Sequence, residues 1–255
     1  MEIVGHRGAA ALAPENTLAA IEAGFRAGAD AVEVDLRLSA DGVLVLLHDL
    51  TVDRTTDGTG AVAAMTLAAI RALDAGARRP RPGPRPIPTL PIPTLPIPTL
   101  PIPTLEEAWE LARGRIVLEI KGAWGTDEAL RTGAALAGFL EGRDAAAAVA
   151  SSFDIRVLAA LRQAGVAIDT GVLTTAAFDA ASNVAAAAEG GHAVCYLPDA
   201  VASEDAIRAV LAAGKRAAVW TVNDPDRIRA LAAGGATAVL TDDPRSARAA
   251  LRQDA

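Results

Sequence analysis

Ala31-Val32-Glu33-Val34-Asp35-Leu36-Arg37 is the stretch that decides the architecture. Apolar and charged residues alternate with a period of two, so the segment reads as a strand with Val32, Val34 and Leu36 on one face and Glu33 and Asp35 on the other. The aliphatic face suits a layer of covering helices. The two carboxylates then point into the interior of a sheet, which is costly unless something compensates their charge.

Working outward, seven more short apolar runs follow the same plan: Glu2 to Gly5, Arg115 to Lys121, Ala146 to Ser151, Ala167 to Leu173, His192 to Leu197, Ala217 to Val222 and Thr237 to Thr241. Amphipathic stretches separate them, among them Asp127 to Glu141, Ile155 to Gln163, Glu204 to Ala213 and Pro225 to Ala232. Alternating strand and helix signals imply a parallel sheet covered by helices, and eight such units in 255 residues match a (β/α)8 TIM barrel. One unit spanning 1–255 is expected, with no second domain.

The second unit is irregular. After Leu38 the chain reads Ser39-Ala40-Asp41-Gly42 and then the apolar run Val43 to Leu47, and an Asp-Gly step between apolar runs signals a hairpin. A small insertion of about residues 50–103 follows, with a short helix near Thr66 to Leu73. Residues 86–105 are four copies of Pro-Ile-Pro-Thr-Leu. Two prolines per copy remove donors that a helix or central strand needs, so an extended, polyproline-like tandem expansion is expected here. The last copy is different, because Thr104 followed by Glu107 forms a capping box that opens a helix.

Composition narrows the function. A net charge of -7 argues against a nucleic-acid partner, whose phosphates demand clustered cations. Cys195 is the only cysteine, which leaves no intrachain disulfide and no multi-thiolate zinc site. Met1 to Gly5 runs straight into His6 without a basic and long apolar leader, and the alanine-rich stretches are interrupted by charges, so a cytoplasmic protein without stable membrane association is expected.

The chemistry gathers at the carboxyl ends of the first three barrel strands, where barrel enzymes place their active sites. Glu119 repeats the inward geometry of Glu33 and Asp35, with Lys121 beside it. Three carboxylates in one volume suit a divalent cation, and all-oxygen ligands favour Mg2+ or Ca2+, with Mn2+ also compatible. An internal ion-pair network with Arg7, Arg37 and Lys121 is the competing explanation. His6, followed by Arg7 and Gly8, and His48, at the end of the hairpin strand, read as catalytic imidazoles. His192 has no such company and reads as structural.

Taken in order, His6-Arg7-Gly8, Pro14-Glu15-Asn16-Thr17, Gly28-Ala29-Asp30, Glu33-x-Asp35, Asp41-Gly42, His48-Asp49, Arg54-Thr55-Thr56, Ile102-Pro103-Thr104-Leu105, Glu119-Ile120-Lys121, Trp220-Thr221-Val222-Asn223 and Thr241-Asp242 resemble the glycerophosphodiester phosphodiesterase family. The resemblance runs the length of the chain. It implies a metal-dependent phosphodiesterase acting on small glycerophosphodiesters such as glycerophosphocholine and glycerophosphoethanolamine, releasing sn-glycerol 3-phosphate and an alcohol. It further implies that Glu33, Asp35 and Glu119 hold the metal, that His6 and His48 serve as general acid and general base, and that Arg7 and Lys121 face the phosphate. Trp220 then forms an apolar wall, and Asn16 is assigned to the substrate side of the first turn, though its position also suits a helix start. Monomer and homodimer are both compatible with this reading.

Arg78-Arg79-Pro80-Arg81-Pro82-Gly83-Pro84-Arg85 departs from the mixed aromatic and polar run usual in the family before Ile-Pro-Thr-Leu, which bears on the leaving-group preference. A larger lipid phosphodiester and a catalytically silent binding barrel are the competing functions. A silent barrel would be expected to lose a histidine or a carboxylate of this set, and none is missing.

Overall fold

The structure, a computed structural model of the chain, describes residues 1–78, 99–123, 126–177 and 180–252. Eight parallel strands close into a barrel: β1 (Glu2–Gly5), β2 (Ala31–Leu38), β4 (Ile116–Ile120), β5 (Val149–Ser152), β6 (Asp169–Leu173), β7 (Val194–Pro198), β8 (Arg216–Trp220) and β9 (Ala238–Thr241). The ring is sealed by β1, which pairs with β2 on one side and with β9 on the other. The ninth strand, β3 (Leu44–Leu46), lies outside the ring as the antiparallel partner of β2, with Leu36 opposite Leu46. The Asp41-Gly42 hairpin is therefore present, and Gly42 takes the left-handed conformation its turn requires (φ 81°).

Helices α1 (Leu18–Arg26), α3 (Leu105–Ala112), α4 (Glu128–Leu140), α5 (Ile155–Gln163), α6 (Ala180–Glu189), α7 (Glu204–Ala212), α8 (Pro225–Ala233) and α9 (Pro244–Arg252) cover the ring, while the short α2 (Leu67–Arg71) belongs to the insertion. Their starts are set chemically. The Thr17, Asp154, Ser203 and Asp224 side chains each accept a backbone N–H of the first turn. The capping box of Thr104 and Glu107 opens α3 as the sequence requires.

The alternation of β2 sorts the core into layers. Val32, Val34 and Leu36 pack outward with Ile116, Leu118, Ile120 and the covering helices, whereas Val4, Ala31, Val117, Val149, Tyr196 and Leu240 fill the barrel interior. With aromatic residues at only 3%, small and branched side chains carry the packing and let the helices lie close to the sheet. Above the apolar interior layer, Glu33 and Asp35 face inward, and Asp35 stands beside Glu119 in the β2–β4 register.

Several expected strand limits move. The Ala146 start of the fourth barrel strand gives way to Val149, because the amide of Ala148 closes a turn onto the Ala145 carbonyl; a run of alanines offers no pattern to separate turn from strand. Likewise β8 ends at Trp220 instead of Val222. His192 is buried at the opposite end of the barrel with its Nδ1 3.0 Å from the Thr170 hydroxyl, a satisfied structural histidine.

In the insertion, Val45, Leu47, Val52, Val62, Ile70 and Ile102 form a small apolar cluster of their own. The last repeat copy is tied into it: Ile102 is buried, the Pro103 carbonyl accepts the amide of Leu46, and Thr104 bridges to Val45. Residues 79–98, which include most of the proline repeat and of the arginine-proline run, lie outside the described residues. No helix among the described residues is long and apolar enough to cross a membrane.

Candidate active site

The first βα turn is folded on two glycines. Gly8 has φ 89°, and a Cβ there would stand 2.5 Å from the Ala20 carbonyl carbon; a Cβ at Gly5 would stand 1.8 Å from the Gly8 carbonyl oxygen. This close approach turns Arg7 into a left-handed conformation (φ 51°) and aims its amide at Glu33 Oε2, 2.8 Å away. Asn16 is also left-handed (φ 56°) and precedes the helix cap, which is Thr17. Its buried amide is spent on Asp35, donating Nδ2 to Oδ2 at 2.7 Å and accepting the Asp35 backbone amide at 3.0 Å. Asn16 thus fixes a carboxylate from behind.

Glu33, Asp35 and Glu119 are 2%, 1% and 7% exposed, and one carboxylate oxygen of each lies within 4.8 Å of the others. Among the described residues four buried side-chain polar atoms lack a hydrogen-bond partner, and all belong here: Arg7 Nε, Glu33 Oε1, Asp35 Oδ1 and Glu119 Oε1. Two of these oxygens have a cation close by, since Lys121 Nζ stands 3.1 Å from Asp35 Oδ1 and 2.5 Å from Glu119 Oε1, ion-pair contacts without hydrogen-bond alignment. Arg7 Nε lies 3.3 Å from Asp35 Oδ2 in the same way. Three converging buried carboxylates, each with an oxygen outside any aligned hydrogen bond and two of them beside Lys121, are the donor set a hard divalent cation takes. The residues fit a metal.

Charge in this space is unevenly shared. Burial and the neighbouring Asp35 charge push Glu33 up to about 8 and Glu119 up to about 7. Asp35 is buried as deeply, yet the Lys121 and Arg7 cations outweigh burial and hold it at about 2. Arg37, proposed from the sequence as part of the same ion-pair network, is placed elsewhere: its guanidinium pairs with Glu128 at 2.8 Å and binds the His48 carbonyl.

Each candidate imidazole is oriented by a carboxylate on Nδ1. His6 Nδ1 lies 2.7 Å from Asp242 Oδ1, and Asp242 Oδ2 accepts from Asn223 Nδ2 at 2.7 Å. His48 Nδ1 lies 2.6 Å from Asp49 Oδ1, whose other oxygen takes Arg54 Nε at 2.5 Å. Arg54 extends this chain from the insertion to Glu15, which also holds Arg7 Nη1 at 2.8 Å. The carboxylates assign Nδ1 as the protonated nitrogen and leave Nε2 of each ring for chemistry.

The two rings differ in basicity. Burial lowers the proton affinity of His6, but the Asp242 hydrogen bond and the Glu33 charge overcome it and the net shift is upward. For His48 burial prevails over the Asp35 charge, and the net shift is downward.

Trp220, the last residue of β8, donates Nε1 to the Tyr196 carbonyl at 3.2 Å and meets Phe153 edge-to-face with ring centres 5.6 Å apart. Phe153 was not singled out by sequence, although an aromatic directly after a barrel strand is the available signal. Asp242, Asn223, Asp49 and Arg54 were legible only as motif members, without a function. A cavity of about 460 Å³ opens beside His6, Arg7, Glu15, Asn223 and Asp242, and a smaller one of about 60 Å³ sits beside Lys121, Ser152, Phe153 and Asp154.

Residues 6–246 match the model of the glycerophosphoryl diester phosphodiesterase family. Among curated proteins, a glycerophosphodiester phosphodiesterase of Caldanaerobacter subterraneus is 50% identical over 74 residues, 29% of this chain and 30% of that protein. The human glycerophosphodiester phosphodiesterase 1 is 51% identical over 74 residues, covering 29% of this chain and 22% of that protein. These matches therefore span less than a third of the relatives' own length. Solved structures match far more widely. An Oleispira antarctica phosphodiesterase in complex with the product sn-glycerol-3-phosphate is 27% identical with a TM-score of 0.81, over 99% of this chain and 97% of that one. A glycerophosphodiester phosphodiesterase from Agrobacterium tumefaciens is 27% identical with a TM-score of 0.74, over 98% and 99%.

Proposed function

The chain belongs to the glycerophosphoryl diester phosphodiesterase family, and from that premise we propose that it hydrolyses glycerophosphodiesters, glycerophosphocholine and glycerophosphoethanolamine among them, to sn-glycerol 3-phosphate and an alcohol. The observation that carries this reading is the convergence of Glu33, Asp35 and Glu119 from β2 and β4, each with a buried oxygen outside any aligned hydrogen bond, together with His6 following β1 and His48 following β3. The product-bound Oleispira antarctica phosphodiesterase, alike over nearly the whole chain, supports the same product here.

Glu33, Asp35 and Glu119 hold one divalent cation, Mg2+ or Ca2+ with Mn2+ also compatible. When bound, it supplies Lewis-acid neutralisation of the charge that builds on the non-bridging phosphate oxygens. Arg7 and Lys121 add fixed positive charge facing the same oxygens. His48, whose proton affinity is depressed, is neutral near pH 7 and takes at Nε2 a proton from the water that attacks the phosphorus. His6, whose proton affinity is raised, is the better proton donor of the two rings and delivers a proton from Nε2 to the departing alkoxide. Trp220 and Phe153 exclude water from the apolar side of the substrate. Asn16 serves this site through Asp35. We read residues 1–255 as one catalytic unit, cytoplasmic, and active as a monomer or homodimer.

The test is alcohol release from a panel of glycerophosphodiesters, with a lysophospholipid as a larger comparison, under Mg2+, Ca2+, Mn2+ and chelator. Activity that requires a divalent cation and falls by about 10²-fold or more, to a measurable residual rate, in His6→Ala, His48→Ala, Glu33→Gln, Asp35→Asn and Glu119→Gln is expected. No release from any member of the panel, or activity indifferent to the two histidines, overturns the reading.

A further inference from the structure

We infer that Arg37 is a positioning residue for His48, an inference that rests on the assignment of His48 as the base. The reason starts with an orphaned carbonyl. Strand β3 ends at Leu46, and the last ladder bond of the hairpin is the Leu47 amide to the Asp35 carbonyl. The chain then leaves the sheet at His48, whose carbonyl is taken by a side chain instead of a ladder amide. Buried backbone acceptors are costly to leave unpaired. Arg37, two residues beyond Asp35 on β2, fills the gap by donating Nε at 3.0 Å and Nη2 at 2.7 Å to that one oxygen.

The remaining nitrogen is anchored as well. Arg37 Nη1 donates to Glu128 Oε1 at 2.8 Å, and Glu128 Oε2 accepts the amide of Ala123 at 3.1 Å. Glu128 is the first residue of α4, and Ala123 lies two residues after Lys121. One buried guanidinium, 5% exposed, therefore joins the turn that carries His48 to the loop that follows Lys121. Each of the three guanidinium nitrogens thus binds a protein group.

The arrangement needs arginine in particular. A planar fork reaches the His48 carbonyl with two donors and Glu128 with a third from one fixed plane, whereas a lysine ammonium is a single point that cannot span both partners. The ring of His48 is set independently by Asp49 and Arg54, so Arg37 governs the main chain from which the ring projects. A displacement of about 1 Å at a catalytic base costs on the order of 10²-fold in rate.

The experiment uses the full chain as wild type, Arg37→Lys and Arg37→Met, read by steady-state kinetics on glycerophosphocholine and by NMR of the histidine ring C–H signals. With only three histidines, His48→Ala and His6→Ala together assign the spectrum. A kcat loss of about tenfold in Arg37→Lys and about a hundredfold in Arg37→Met is expected, with KM within about twofold of wild type. The His48 signal should shift or broaden in both while the His192 signal stays in place. Arg37→Lys keeps the buried positive charge and carries the test should Arg37→Met fail to fold. A His48 signal in folded Arg37→Lys that superimposes on wild type overturns the inference, as does a rise in KM in place of the fall in kcat. A wild-type protein without phosphodiesterase activity refutes the proposed function instead, and the ring signals still decide the positioning.

Discussion

His6 and Asp242, separated by 236 positions, meet through a contact of 2.7 Å between Nδ1 and Oδ1. Barrel closure makes the contact: β1 lies parallel to β9 with Gly5 in register with Thr241, so the residues following each strand emerge side by side at the mouth. Asp242 is itself fixed, because Asn223 donates to its second oxygen and Asn223 Oδ1 accepts its backbone amide at 2.8 Å. Burial would raise its proton affinity, but the His6 and Asn223 hydrogen bonds keep it ionised below the usual carboxylate range.

Removing that charge should cripple the acid without disturbing the fold. Asp242→Asn is expected to lower kcat by about 10²- to 10⁴-fold, the range seen when an orienting carboxylate is neutralised, with KM and the thermal midpoint close to wild type. Steady-state kinetics beside a melting curve checks both halves.

The two rings predict a bell-shaped pH profile. Activity should rise with pH as His48 loses its proton below the ordinary histidine value, and fall again as His6 loses its proton above that value. Measuring residual kcat/KM across pH 5 to 10 assigns the limbs: His48→Ala should abolish the acid limb and His6→Ala the alkaline one. The opposite assignment would reverse the acid and base roles.

Metal affinity should depend on pH in a defined direction. Glu33 at about 8 and Glu119 at about 7 carry protons that a cation has to displace, so affinity falls as pH drops from about 8 towards 6, by roughly tenfold per pH unit for each proton released. Titration calorimetry in two buffers of different ionisation heat counts those protons. A pH-independent affinity would sink the prediction.

Without metal the same groups have a stability signature. Their folded values lie above the ordinary 4.5, so their contribution is fully present below that pH and is lost as pH rises through about 7 and 8. Asp35 acts the other way, its contribution being present above 3.8 and lost as pH falls through about 2. Thermal midpoints in chelator should therefore decline from pH 5 to 9. Glu33→Gln should flatten that decline.

Deleting residues 86–95, two of the four repeat copies, should leave the melting temperature close to wild type and kcat/KM within about twofold. The copy at 101–105 holds the contacts to β3 and opens α3, and Leu100 joins Asp74 and Ala75. Both stay in this deletion. A collapse of folding or activity would give the repeat a structural duty.

Much of the molecule was readable along the chain. The period of two in Ala31 to Arg37 places Glu33 and Asp35 together on the inner face, Asp41-Gly42 announces the hairpin, and Thr104 with Glu107 announces α3. These are local rules, enforced by backbone geometry within a few residues. Where local pattern vanishes, as in Ala145 to Ala148, the strand limit was misplaced.

Partners were a different matter. Nothing near His6 names Asp242, nothing near Asp49 names the chain through Arg54 to Glu15, and the position of Arg37 beside the carboxylates in sequence does not tell that its fork sits on the His48 carbonyl. Strand faces and helix starts follow from how each residue's own bonds rotate, and are written into short stretches of chain. The pairing of groups around the mouth follows from which strand ends the closed ring sets next to each other, a relation with no period in sequence.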